Sequence, residues 1–131
     1  GLNRANNFGD NFKNYFEKIL NKLKIICIIE SVEAVNNLNE ILSLKYINGI
    51  IIGPYDLSTS LNIPGKFNQK IFKKTILTIE KITKKNNKTI GIHIVEPSKK
   101  LIQKYIKKNY NIIIFILDTV LFKKSVESVL K

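Results

Sequence analysis

IICIIESVEAVNNLNEILSLKYINGIII, residues 25–52, decides the fold. It opens on an unbroken apolar run from Ile25 to Ile29 and closes on Ile47 to Ile52, a second run interrupted only by Asn48 and Gly49. Neither run alternates apolar with polar residues, so each predicts a strand buried on both faces. Between them Ala34, Val35, Leu38, Ile41 and Leu42 recur every three or four residues, which lines them along one side of a helix, and Ser31 stands where an N-cap is needed. A strand, an amphipathic helix and a second strand of this kind form the repeating unit of a parallel sheet covered by helices.

The same alternation continues in both directions. Upstream, Phe12, Tyr15, Phe16, Ile19, Leu20 and Leu23 have helical spacing. Downstream, a stretch rich in Gly, Pro, Ser and Asn predicts a loop over 53–68. A helix then carries Phe72, Ile76, Ile79 and Ile82, Asn86 and Asn87 stop it, and a third strand runs from Thr89 to Val95. Pro97 and Ser98 open a helix with Leu101, Ile102, Tyr105 and Ile106, a fourth strand covers Asn111 to Leu117, and a short last helix carries Val126 and Leu130. The fold class is α/β, built from parallel (β/α) units. Such units fit an open doubly wound sheet or half of a (β/α)8 barrel. No glycine-rich phosphate loop follows any strand, which removes the nucleotide motifs of the open sheet and favours the barrel.

The chain has 131 residues, 44% of them hydrophobic and 24% charged, which fits one globular domain. It opens without Met on the polar stretch GLNRANNFGDN, reads as a segment of a longer protein, and lacks the order of a secretory leader. The apolar runs IICII and IIIFIL fall well short of the roughly 20 residues that cross a bilayer, so no membrane is expected. Cys27 is the single cysteine, with no partner for a disulfide or a zinc pair; it predicts a packed small side chain in a reducing, cytoplasmic setting.

A net charge of +12 raises the question of nucleic acid. Arg4 is the sole arginine, and lysine lacks the planar fork that reads base edges. Lys70, Lys73, Lys74, Lys81, Lys84 and Lys85 surround the apolar stripe of one helix and predict a solvated face, so no nucleic-acid partner is expected. A basic, non-catalytic module for an acidic partner is the reading from a different class.

The carboxylates point to chemistry. Glu30 ends the first strand and Asp56 lies just past the second, and in a barrel the C-terminal strand ends converge on the active face. Two hard oxygen ligands suit Mg2+ or Mn2+, with water and substrate completing the shell; helix capping is the structural alternative. In the third strand Gly91, His93 and Val95 share the face opposite Ile90, Ile92 and Ile94. His93 is thereby the one candidate base, although a structural or water-facing imidazole is the preferred reading. Arg4 reads as half of a structural ion pair. Ser58 and Ser60 read as turn or cap residues, with Ser58 near enough in sequence to touch a substrate.

Residues 28–42, IIESVEAVNNLNEIL, and 47–61, INGIIIGPYDLSTSL, together resemble the HpcH/HpaI aldolase and citrate lyase family, in which one strand ends IE(S/T) and the next ends GPxDLS. GLNRANNFG (1–9), IPGKFNQKIFKKTI (63–76) and ILDTVLF (116–122) resemble that family's RAxxYG stretch, its glycine-containing loop and helix, and its final strand with a D-T pair. The resemblance implies that residues 1–131 are the C-terminal part, about strands five to eight, of a single TIM-barrel domain. It implies a divalent cation, Mg2+ or Mn2+ and next to them Co2+, on Glu30 and Asp56. It implies substrate contacts from Gly53, Pro54, Tyr55, Asp56 and Ser58, with backbone N–H groups around Tyr55 and Asp56 holding the carboxylate of pyruvate. The implied reaction is reversible cleavage of a 4-hydroxy-2-oxo acid to pyruvate and an aldehyde; a citrate lyase β-like C–C lyase acting on a CoA thioester is the alternative. A homo-oligomer is expected for the full-length protein. Two departures stand out. Ile28 occupies the position at which many members carry Gln, and the family's catalytic histidine and keto-binding arginine belong to early strands outside this segment, so the segment alone is expected to be inactive.

Overall fold

A computed structural model describes residues 4–19 and 22–130. Its strands are β1 (Ile25–Ile29), β2 (Ile47–Ile52), β3 (Thr89–Ile94) and β4 (Ile112–Phe115). Its helices are α1 (Phe12–Asn14), α2 (Val32–Asn36), α3 (Leu38–Ser43), α4 (Pro54–Ser60), α5 (Lys70–Lys85), α6 (Lys99–Lys107) and α7 (Asp118–Val129). The strands form one parallel sheet in chain order, β1-β2-β3-β4, as the alternating units predict. Among the described residues no helix is long and apolar enough to cross a membrane.

The two faces of the sheet differ. On one face Ile29, Ile50, Ile52, Ile92 and Ile94 are buried with Leu38 and Leu42 of α3 and Phe72 and Ile79 of α5, which make the core. On the other, the register sets Ile28, Ile51, Gly91 and Ile112 in one row. A Cβ on Gly91 would come within 2.9 Å of both Ile51 Cγ1 and Ile112 Cβ, so the row closes around the glycine. Ile28 is 57% exposed and Ile114, beside His93 in the next row, is 40% exposed; this is the face that lines the interior of a barrel.

Several expectations are corrected. The helix from Ser31 is two helices, α2 and α3, because Asn37 (φ −92°, ψ 6°) leaves the helical region between them; Ser31 does cap α2, accepting from the Ala34 N–H at 3.1 Å. The predicted loop over 53–68 contains α4. Pro54 enters its first turn, where a missing N–H costs nothing, and Leu57 and half-buried Leu61, four residues apart, face the core. β4 is shorter than predicted, since Ile116 turns into the left-handed region (φ 61°) while its N–H reaches Ile94 O at 2.8 Å. Asp118 and Thr119, expected at a strand end, instead begin α7, where Asp118 Oδ1 accepts from the Thr119 N–H at 2.7 Å. The upstream helix is only the single turn α1 and a wider turn over Tyr15–Ile19, with Phe12 and Phe16 largely exposed rather than buried, and Leu20 lies outside the described residues. The α5 lysines are all exposed and Phe72 and Ile79 buried, as its stripe predicts.

Candidate functional site

Parallel pairing puts the ends of β1 and β2 side by side. The Gly53 N–H donates to Ile29 O at 3.1 Å, continuing the ladder one residue past β2, and the chain then turns into α4. Glu30 follows Ile29 directly, so its side chain meets the backbone of Gly53: a Cβ built there would lie 3.2 Å from Glu30 Cβ and 3.3 Å from Glu30 Oε2. Gly53 has φ −96°, a conformation open to any residue, so what its missing side chain provides is space for the Glu30 carboxylate. Asp56 stands in the first turn of α4, where N–H groups have no intrahelical acceptor and the helix favours negative charge. Glu30 and Asp56 are both exposed.

Gly53, Pro54, Tyr55, Asp56, His93, Val95 and Leu117 line a cleft of about 310 Å3. This brings the GPYD segment together with His93 at the C-terminal ends of the strands, as the shared face of Gly91 and His93 predicts. His93 Nε2 is buried and has no hydrogen-bond partner among the described residues.

The two serines are braces. Ser58 is fully buried; its hydroxyl donates to Tyr55 O at 2.7 Å and accepts from the Gly65 N–H at 2.9 Å. Both bonds are structural, so Ser58 supports the turn instead of facing the cleft. Ser60 Oγ accepts from the Val32 N–H at 2.9 Å, tying the end of α4 to the start of α2 just beyond Glu30. These bonds fix the two carboxylate-bearing segments relative to each other. Tyr55, 44% exposed, packs edge-on to Phe67 with ring centroids 5.0 Å apart. The part played by Ser60 and the space at Gly53 were missed by sequence reasoning, because each depends on a residue more than twenty positions away.

As a cation site the donors are hard and anionic. Among the described residues no group of three or more His, Cys, Asp or Glu side chains is poised to hold a metal. A pair of carboxylates fits Mg2+ or Mn2+, which keep water and substrate oxygens in their shell, and does not fit a structural zinc centre. Arg4 is exposed, and no ion pair to it occurs among the described residues.

A family model described as HpcH/HpaI aldolase/citrate lyase matches residues 10–124, a span that includes Glu30, the GPYD segment and His93. The chain belongs to this family. A 2-keto-3-deoxy-L-rhamnonate aldolase of Escherichia coli is 29% identical over 115 residues, covering 88% of this chain but 42% of the relative. Among solved structures, an HpcH/HpaI aldolase/citrate lyase family protein from Burkholderia cenocepacia superposes with a TM-score of 0.83 at 20% identity, over 99% of this chain and 49% of that one. An HpcH/HpaI aldolase from Desulfitobacterium hafniense gives 0.80 at 17% identity, over 92% and 46%. The four parallel strands and their helices therefore have the fold of half of an HpcH/HpaI barrel, and the chain spans less than half the length of each of these three relatives.

Proposed function

We propose that residues 1–131 form the second half of one HpcH/HpaI barrel domain, and that the full-length protein is a metal-dependent aldolase. Its reaction is the reversible cleavage of a 4-hydroxy-2-oxo acid to pyruvate and an aldehyde. The observation that carries this reading is the Glu30 carboxylate lying across Gly53, three residues before Asp56, at the C-terminal ends of adjacent parallel strands. The relative named for a keto-deoxy sugar acid supports a 2-oxo acid as substrate.

Glu30 and Asp56 would hold Mg2+ or Mn2+, with Co2+ as a further fit, and the cation would supply positive charge where the enolate oxygen develops. The chain's own residues do the rest. First-turn N–H groups at Tyr55 and Asp56 bind the substrate carboxylate, as helix N-terminal amides do for anions. Gly53 keeps the approach to Glu30 open, Ser58 and Ser60 hold the loop in register, and Tyr55 and Leu117 give the cleft an apolar rim. The proton to and from the 4-hydroxyl and the guanidinium contact to the keto oxygen fall to residues outside this segment. The reading includes a homo-oligomeric, cytoplasmic enzyme that binds neither nucleic acid nor membrane.

The test is pyruvate release from a panel of 4-hydroxy-2-oxo acids by the full-length protein. Activity should vanish in chelator, return on adding Mn2+ or Mg2+, and leave no lysine adduct after borohydride treatment with pyruvate. Full activity in excess chelator, or a reduced lysine–pyruvate adduct, would overturn it.

A further inference from the structure

A second and larger cavity, of about 520 Å3, opens between α5 and α6 on the helix side of the sheet. That volume lies within the roughly 300–1,000 Å3 of small-molecule sites, which are mostly apolar with a few polar groups. Phe72, Ile76 and Leu77 of α5 face Leu101 and Tyr105 of α6 across it. Leu77 is 60% exposed, an apolar side chain left uncovered. At the Lys108 end the two sides are pinned by Glu80, which accepts from Lys108 Nζ at 2.7 Å and from the Tyr110 hydroxyl at 2.8 Å.

The charges in the lining are asymmetric. Lys108 is neutralised by Glu80. Lys73 and Lys104 also line the cavity, and among the described residues neither has an ion pair; Glu96 is the lone carboxylate there. An apolar slot with two uncompensated ammonium groups matches a ligand with an apolar body and an anionic head. One carboxylate in the same lining disfavours a multiply charged head. We infer that the cavity between α5 and α6 is a second binding site, for a small amphipathic monocarboxylate whose chain lies between Ile76 and Leu101 and whose head meets Lys73 and Lys104. The site adjoins the cleft at Asp56, sharing Pro54, Tyr55, His93 and Val95 with it, but takes its charges from Lys73 and Lys104, which do not line that cleft, so reversing those two lysines tests it separately from the aldolase reading.

Calorimetric titration of the full-length protein with octanoate, and separately with octan-1-ol, tests this. Octanoate should bind saturably at one site per chain, and octan-1-ol, lacking the charge, about tenfold or more weakly. Both lysines are exposed, so Lys73→Glu with Lys104→Glu should leave the melting temperature in place, weaken octanoate by about tenfold or more, and leave octan-1-ol unchanged. Ile76→Trp, which fills the slot, should abolish binding of both. Absence of saturable octanoate binding, or octanoate affinity indifferent to reversal of both lysines, would overturn the proposal.

Discussion

Glu30 Oε2 lies 3.3 Å from the point a Cβ on Gly53 would occupy. The contact is tighter than ordinary carbon–oxygen packing, and the backbone at Gly53 is open to alanine (φ −96°), so Gly53→Ala isolates the effect of that space. The variant should fold with an unchanged melting temperature and push the Glu30 carboxylate aside. Titration with Mn2+ should show affinity reduced by about tenfold, the cost of roughly 1.4 kcal/mol of ligand misplacement. Unchanged affinity would mean that Glu30 does not bind the cation from this position.

The two carboxylates can be separated by what each substitution removes. On the proposed function, Asp56→Ala deletes an entire ligand and should cost several kcal/mol of transition-state stabilisation, about three or more orders of magnitude in kcat/KM of the full-length protein. Glu30→Gln keeps the size and one oxygen but removes the charge, so it should lower metal affinity while excess Mn2+ restores part of the rate. Both residues are exposed, so circular dichroism should be unaltered. Wild-type rates in Asp56→Ala would sink the assignment.

Ser58 and Ser60 differ in burial and therefore in cost. Ser58→Ala removes a fully buried hydroxyl that donates to Tyr55 O and accepts from the Gly65 N–H, and should destabilise by about 1–3 kcal/mol. Ser60→Ala removes an exposed acceptor from the Val32 N–H, which water can replace, and should cost about 1 kcal/mol or less. Denaturant midpoints of the two variants give the comparison, and a larger loss at Ser60 would contradict it.

The sheet was legible because its strands are isoleucine-rich runs with few interruptions: β1 and β2 begin and end where the apolar runs do, although burial on both faces was expected and the face carrying Ile28 and Ile114 is partly exposed. The α5 stripe was legible for the complementary reason, one wet face and one dry. What stayed hidden was governed by partners. Pro54 and the polar residues after it read as loop, and only Leu57 and Leu61 on the core mark a helix. Asn37 breaks a helix whose apolar spacing runs on unperturbed through the break. At the candidate site, the motif named Glu30 and Asp56, yet it could not tell that Ser58 points inward, since a hydroxyl two residues past a candidate ligand serves as readily for contact as for bracing.

Tyr110 reports on packing between the α6–β4 turn and α5. Burial, followed by its hydrogen bond to Glu80, raises its pKa well above the usual tyrosine range. A proton held more tightly in the folded chain than in the unfolded one, where tyrosine ionises near 10, stabilises the fold fully below that pH. The contribution is lost as pH rises past it, because the unfolded state gives up the proton first. Stability should therefore fall more steeply above about pH 10 in the wild type than in Tyr110→Phe, which has no such proton to lose. Parallel pH profiles for the two would remove the role assigned to the hydroxyl.

Ile28 and Ile114 lie in neighbouring rows of the face opposite the helices, on the two outermost strands, and are 57% and 40% exposed. β1 and β4 each have one unpaired edge within the described sheet, with N–H and C=O groups able to pair with another strand. An apolar face bounded by two open edges seeks cover, so residues 1–131 produced alone should associate in a concentration-dependent way. Ile28→Lys with Ile114→Lys puts charge on that face at two of its partly exposed positions. The double variant should keep its far-ultraviolet circular dichroism and shift toward monomer in sedimentation velocity. A wild-type segment that sediments as a clean monomer at high concentration would show that this face is not driving assembly.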